Sequence, residues 1–287
     1  MQRLRLMSHN VWNCDSNSPK WQEKGNDCSA QARVPGLLRV YRETLPDVIG
    51  GQEVSALMAD LLREGLLREN MNYTLIWGRF TPILYRSDKL ELIDSEFGSY
   101  PESIEGFDGS FNDSKSKSWN VGVFRIKENG RIFAFATTHL WWMKSPSDKA
   151  IEGARDVRRG SDEARELQIA MLIEKAEQYG ARYNCPVFVV GDMNCNYNSK
   201  AMKYVRSHGF CHAHDVASEY SDDSMGYHYC FRDGYKNEYY DRPFEHAIDH
   251  IYVSAPDCDC VKRFERYSPD YYFPISDHSA VFADVEL

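Results

Sequence analysis

The chain has 287 residues, 43% of them hydrophobic and 27% charged, which is ample for a well-buried core and excludes a disordered or fibrous protein. Its net charge of -9 argues against a protein that mainly grips duplex nucleic acid, since such proteins carry a basic excess that displaces counterions from phosphates. It does not exclude a phosphorylated substrate, because a divalent cation can invert the local field of an acidic cleft.

Arg3-Leu4-Arg5-Leu6-Met7 alternates polar and apolar residues and reads as a strand that delivers Ser8-His9-Asn10 at its end. A helix is expected from Val34 to Thr44, opened by Pro35 near its first turn, followed by a short buried strand from Pro46 that ends in Gly51-Gln52-Glu53. Leu57, Leu61, Leu62, Leu66 and Leu67 lie at helical spacing and read as a core-facing stripe. Short strands are expected at Tyr73–Trp77, Pro82–Tyr85 and Glu91–Phe97. Ser118–Ile126 and Arg131–Thr138 make a hairpin turned at Glu128-Asn129-Gly130, and that hairpin runs into His139.

From Trp141 to Arg165 the chain is polar and basic, with Lys144, Lys149, Arg155, Arg158, Arg159 and Arg165, before an amphipathic helix marked by Leu167, Ala170, Met171, Ile173 and Ala176. Pro186-Val187-Phe188-Val189-Val190-Gly191 has the β-branched character of a strand buried on both faces, and Asp192-Met193-Asn194 emerges from its end. Ile248–Val253 is another strand pattern, and Ser276-Asp277-His278 precedes a last strand, Ala280–Leu287. With no repeat, low-complexity tract or linker, residues 1–287 read as one α/β domain. The eight cysteines include no C-x-x-C pair and read as scattered thiols, which, with no apolar leader or spanning run, points to a reducing cytoplasm and no stable membrane association.

Each polar cluster alone has a bland reading: Asn10 as a turn cap, Glu53 paired with an arginine, Asp192-Met193-Asn194 as a turn bonded to its own backbone. Together they terminate five apolar strands, whose ends normally face one edge of an α/β core, and carboxylates gathered there repel one another unless a cation joins them. Asn10, Glu53, Asp192, Asn194, Asp249 and Asp277 offer the oxygen donors that a hard cation such as Mg²⁺ or Mn²⁺ selects. His139 and His278 can supply protons or hydrogen bonds to a phosphoryl oxygen, with Asp249 orienting one imidazole.

Ser8-His9-Asn10-Val11-Trp12, Gly51-Gln52-Glu53, Thr138-His139-Leu140, Gly191-Asp192-Met193-Asn194, Ile248-Asp249-His250-Ile251 and Ser276-Asp277-His278 resemble, in order and over nearly the whole chain, the motifs of the endonuclease/exonuclease/phosphatase superfamily. The resemblance implies a DNase I-like four-layer α-β-β-α sandwich, two packed mixed sheets flanked by helices. It further implies that Glu53 is the principal metal ligand, that Asn10 and Asp277 lie close to the metal's water shell, and that Asp192 with Asn194 positions and deprotonates the attacking water. His278, backed by Asp249, would bond the scissile phosphate, and His139 matches the first of the family's two phosphate-contacting histidines, which disfavours apurinic-site repair.

His228, Trp119 and Asn120 are candidate substrate contacts and Arg79 a candidate on the pocket wall, whereas Tyr85 reads as packing. The expected activity is a Mg²⁺- or Mn²⁺-dependent phosphoesterase acting on a phosphorylated small molecule or single-stranded nucleic acid, with no obligate protein partner. Alternatives are a DNA or RNA endonuclease or exonuclease using the basic segment, a catalytically silent binding module, and a sphingomyelinase-like lipase that exposes Trp141-Trp142-Met143.

Overall fold

The computed structural model describes residues 2–146, 157–220, 247–267, 269–272 and 274–287. Its first strand, β1 (Arg3–Asn10), alternates as its sequence requires, with Leu4 and Leu6 facing one core and Met7 another. The chain continues through α1 (Pro19–Gln22), α2 (Ala30–Thr44), β2 (Val48–Gln52), α3 (Ala56–Arg68), β3 (Tyr73–Ile76), β4 (Ile83–Arg86) and β5 (Leu90–Ser99). The middle of the chain forms β6 (Ser118–Ile126), β7 (Ile132–His139), α4 (Ser161–Tyr183), β8 (Val187–Asp192), α5 (Lys200–Ser207), β9 (Phe210–His212) and α6 (Ala213–Val216). It closes with β10 (Glu219–Tyr220), β11 (Asp249–Ser254), β12 (Val261–Tyr267) and β13 (Ala280–Glu286).

These strands form two mixed sheets, ordered β10-β12-β13-β1-β2-β4-β3 and β5-β6-β7-β8-β11-β9. Between them lies an apolar core that includes Leu4, Leu6, Phe124, Phe133, Phe135, Phe188 and Val190. Burying a side chain of this size contributes roughly 1.5–3 kcal/mol. On the outer face of the first sheet, Ile49 packs with Leu37 and Leu62 of α2 and α3; on that of the second, Val189 packs with Leu172 and Val205 of α4 and α5. The architecture is therefore the expected four-layer α-β-β-α sandwich.

Several local expectations need correction. Helix α2 begins at Ala30, because the Ser29 side chain accepts a hydrogen bond from the Ala32 N–H at 3.4 Å. Pro35 thus lies inside the helix, where burial of Val34, Leu37 and Leu38 offsets the backbone hydrogen bond that proline cannot donate. The cysteines are not all thiols: Cys211 on β9 and Cys258 after β11 form a disulfide, while Cys14, Cys28, Cys185, Cys195 and Cys260 are free. Cys230 lies outside the described residues.

The basic segment is only partly solvent-facing where it is described: Lys144 and Arg159 are exposed, whereas Arg158 is half-buried and Arg165 buried. Trp141 is fully buried against Phe111, and Arg165, 3% exposed, donates to the carbonyls of Trp141 and Met143 at 3.2 and 2.7 Å and pairs with Asp162 at 2.7 Å. Arg158 donates to the Ser110 carbonyl and lies over the Phe111 ring. Arg158 thus fastens the segment to the loop after β5, and Arg165 ties the start of α4 to the chain after β7; Lys149 and Arg155 fall outside the described residues.

Candidate active site

Strand alternation explains why the polar residues converge. On β7 the residues facing the other sheet are Phe133, Phe135, Thr137 and then His139; on β8 they are Phe188, Val190 and then Asp192; on β11, Val253, Ile251 and then Asp249. Each site residue is thus the last rung of the inter-sheet core. Register aligns them, with His139 opposite Asp192 and Asp192 opposite Asp249, while Asn10 follows Leu4, Leu6 and Ser8 on the facing sheet.

Glu53 breaks this pattern. Alternation after Val48, Gly50 and Gln52 would send it to the helical side, but its φ of 58° is left-handed, an uncommon conformation for a residue with a Cβ. Its Oε1 accepts from Asn10 Nδ2 at 3.1 Å and its Oε2 from the Asn13 N–H at 2.7 Å. The two sheets approach closely beneath it: a Cβ on Gly50 would stand 2.6 Å from Thr137 Oγ1 and 2.7 Å from Val190 Cγ2.

Asp192 is the hub of the cluster. Its Oδ2 accepts from Asn10 Nδ2 at 2.9 Å and lies 3.4 Å from His139 Nε2 and 3.7 Å from His278 Nε2. Its Oδ1 accepts from the Asn194 N–H at 2.9 Å, and Asn194 Nδ2 in turn donates to the Leu140 carbonyl at 3.0 Å. His278 Nδ1 bonds Asp249 Oδ2 at 2.8 Å, the orientation in which a carboxylate holds an imidazole from behind. Ser276 Oγ donates to the Asn10 carbonyl at 2.7 Å, joining the loop before β13 to the end of β1.

The residue that sequence reasoning missed is Lys117. Only 4% exposed, it places Nζ 2.8 Å from His139 Nε2, so a cation stands inside the cluster. No local pattern announces it: Lys117 precedes β6, its N–H is held by Asn112 Oδ1 at 2.7 Å, and strand alternation alone would put Ser118, not Lys117, on the face of His139.

Burial and charge set the protonation states. Burial, reinforced by the neighbouring Lys117 charge, holds His139 well below its ordinary value and therefore neutral. Burial lowers Lys117 to about 8 against the pull of Glu53 and Asp192, so it keeps its proton at neutral pH. Burial alone would raise Glu53, but the positive charge it faces lowers it; with His139 neutral, Lys117 is the cation that exerts this pull. Asp192 is pushed up to about 7, first by burial and then by Asp249, opposed by His278 and Lys117. His278, which burial would lower, is instead raised well above its ordinary value by Asp249 and Asp192 and is an imidazolium.

Among the described residues, Glu53, His139 and Asp192, and likewise Asp192, Asp249 and His278, bring ligand atoms within 4.8 Å of one another. In the first group the Glu53 and Asp192 carboxylates supply hard oxygens and crowded negative charge that fit a divalent cation of the Mg²⁺ type, while Asn10 turns its Nδ2 to both carboxylates and its Oδ1 to the Trp12 N–H. Asp277, 6% exposed, stands outside both groups and acts on His278 and Arg33 through its charge.

The expected substrate contacts fare unevenly. Asn120 lies on the inter-sheet side, where Nδ2 donates to the Ile76 carbonyl at 3.4 Å and its buried Oδ1 has no partner. Trp119 must be corrected: the alternation that turns Asn120 inward turns Trp119 outward, into the core beneath α4 and against Gly98. Arg79 is exposed on the turn between β3 and β4, and Tyr85 is packed on Phe124 as expected. His228 lies outside the described residues.

The structure is similar to that of an endonuclease/exonuclease/phosphatase family protein from Bacteroides thetaiotaomicron, at 20% identity and a TM-score of 0.73, covering 99% of this chain and 98% of that one. It is similar to the mannosyl-6-phosphatase of Bacteroides thetaiotaomicron VPI-5482, at 20% identity and a TM-score of 0.72 over 99% of this chain and 100% of that one. It also resembles D. rerio TDP2 complexed with single strand DNA product, at 16% identity and a TM-score of 0.67 over 100% of both chains. No curated protein sequence matches significantly. The family pattern itself matches residues 7–278, from within β1 to His278. The chain belongs to the Endonuclease/Exonuclease/phosphatase family and is a phosphoester hydrolase.

Proposed function

We propose that this protein is a divalent-cation-dependent phosphoesterase that favours phosphomonoesters of small molecules. The observation that carries this reading is Lys117, a buried cation 2.8 Å from His139 within the carboxylate–imidazole cluster. A monoester presents a dianion, so an additional fixed cation in a dry site favours it over a diester monoanion. The likeness to a mannosyl-6-phosphatase is consistent with a small phosphorylated substrate.

Glu53 would hold the cation, Mg²⁺ or Mn²⁺, beside the Asp192 carboxylate, and the family resemblance would put Asn10 and Asp277 close to its water shell. When bound, such an ion supplies charge that polarises the phosphoryl group and lowers the pKa of a coordinated water. Asp192, oriented through Oδ1 by Asn194 and raised towards neutrality, positions the attacking water and accepts its proton. The His278 imidazolium, fixed by Asp249, donates from Nε2 to a phosphoryl oxygen. Lys117 and the neutral His139 face the same space and complement the charge that develops on the equatorial oxygens.

A second reading, hydrolysis at a single-stranded nucleic acid, is favoured by the likeness to TDP2 bound to a single strand DNA product. A panel of p-nitrophenyl phosphate, bis-p-nitrophenyl phosphate, hexose 6-phosphates, inositol phosphates and single-stranded RNA and DNA separates the two. Preferential turnover of the monoesters supports the first; faster cleavage of the diester and single strands supports the second.

A further inference from the structure

Two thiols with no part in this chemistry lie beside the loop that touches Glu53. Cys14 Sγ is 3.5 Å from Cys28 Sγ, and both cysteines are free. A disulfide needs an S–S distance of about 2.05 Å, so the sulfurs must close by roughly 1.5 Å. The backbone around them is already drawn together: the Arg33 guanidinium donates to the Cys28 carbonyl at 2.9 Å and to those of Trp12 and Cys14 at 2.8 Å each. The Cys28 N–H donates to Asn17 Oδ1 at 3.0 Å, and the Ser18 N–H points at Cys28 Sγ at 3.3 Å. Both ends of the intervening segment, which carries α1, are thus held in place before any bond forms.

Cys14 directly follows Asn13, whose N–H donates to Glu53 Oε2 at 2.7 Å. A covalent link at Cys14 therefore restrains the backbone that orients the Glu53 carboxylate. The bland reading of the pair is two small hydrophobes in contact, but Cys14 is half-buried rather than sealed in the core, so a small oxidant reaches it.

We propose that Cys14 and Cys28 are a redox modification site, a dithiol oxidised by hydrogen peroxide to a disulfide that locks the Asn13 loop against Glu53. Attack of the Cys14 sulfur on the peroxide breaks the O–O bond, forming a sulfenic acid and releasing one water. The Cys28 sulfur then displaces the second oxygen as water, so two thiols give up two electrons and two protons to the peroxide and one S–S bond forms. Because burial and the contact with Cys28 push the Cys14 thiol up to about 12, the reaction is slow at neutral pH and faster in alkali. The link itself stands apart from the proposed catalytic reading; only its effect at Glu53 rests on that reading.

The test is oxidation of the full chain with hydrogen peroxide, followed by alkylation, peptide mapping and thermal melting. The expected result is a loss of about 2 Da, a peptide joining Cys14 to Cys28, reversal by dithiothreitol, and a melting temperature raised by several degrees. Cys14→Ser and the apolar Cys28→Ala should each lose the linked peptide and the rise in melting temperature. Separately alkylated or over-oxidised Cys14 and Cys28 in wild type would overturn the proposal, as would a linked protein that melts no later than the reduced one. Calorimetric titration of Mg²⁺ distinguishes the layers. Binding that tightens on oxidation supports the lock; binding indifferent to both oxidation and Glu53→Gln, in linked protein, overturns the Glu53 reading and with it the proposed lock, and leaves the disulfide standing.

Discussion

Lys117 carries most of the proposed discrimination between monoester and diester. Lys117→Met should lower kcat/KM for p-nitrophenyl phosphate about 10²-fold or more, the usual loss when a preorganised charge donor is removed, and lower that for the bis ester much less. Since burial brings Lys117 down to about 8, monoester turnover should decline above that pH; Lys117→Arg, protonated throughout, should move the decline upward. Equal losses on both esters, or an unmoved alkaline limb, would contradict this role. A second expectation concerns Asp249 and His278, joined at 2.8 Å. If Asp249 acts only through His278, the double variant Asp249→Ala/His278→Ala should be scarcely slower than His278→Ala, as for residues that act as a unit. Additive losses would separate them. The carboxylates and histidines were legible in the sequence because each ends an apolar run, whereas Lys117 precedes a strand as an isolated cation with no periodicity to mark it.

At the scale of elements, the site follows from strand parity, which is why so much of it could be anticipated: a strand whose alternate residues fill the core must aim its last residue at the same space. Glu53 depends instead on a left-handed turn that no local pattern announces. Trp119 was misplaced because pocket-wall position was assumed without applying that parity across Ser118, Trp119 and Asn120. The stretch holding α5, α6, β9 and β10 offered short elements with little periodicity, and its pairing is set by long-range contacts and the Cys211–Cys258 bond. The basic segment read as uniformly polar because charge is visible in a sequence and the burial of Arg165 is not. Arg165→Met should therefore lower stability by about 1–3 kcal/mol, leaving the Trp141 and Met143 carbonyls without their donor, with KM for p-nitrophenyl phosphate unchanged. A raised KM at unchanged melting temperature would return Arg165 to the substrate.

For the whole molecule, a net charge of -9 predicts that turnover of a small ester responds weakly to added salt, whereas a protein neutralising many phosphates would lose activity steeply. A steep negative dependence on single strands, with no monoester turnover, would shift the account to nucleic acid. No helix among the described residues is long and apolar enough to cross a membrane, and of the Trp141-Trp142-Met143 stretch Trp141 is buried while Trp142 is exposed. Asp192, at the hub of the inter-sheet rung, is proposed to handle the proton of the attacking water in a cation-dependent phosphoesterase. This role is tested most directly by steady-state hydrolysis of p-nitrophenyl phosphate by wild type and Asp192→Asn, with Mg²⁺ or Mn²⁺ and again after chelation. Chelation should abolish turnover, and kcat should fall about 10²–10⁴-fold in Asp192→Asn; activity that survives chelation, or a near-wild-type kcat in that variant, would contradict this role.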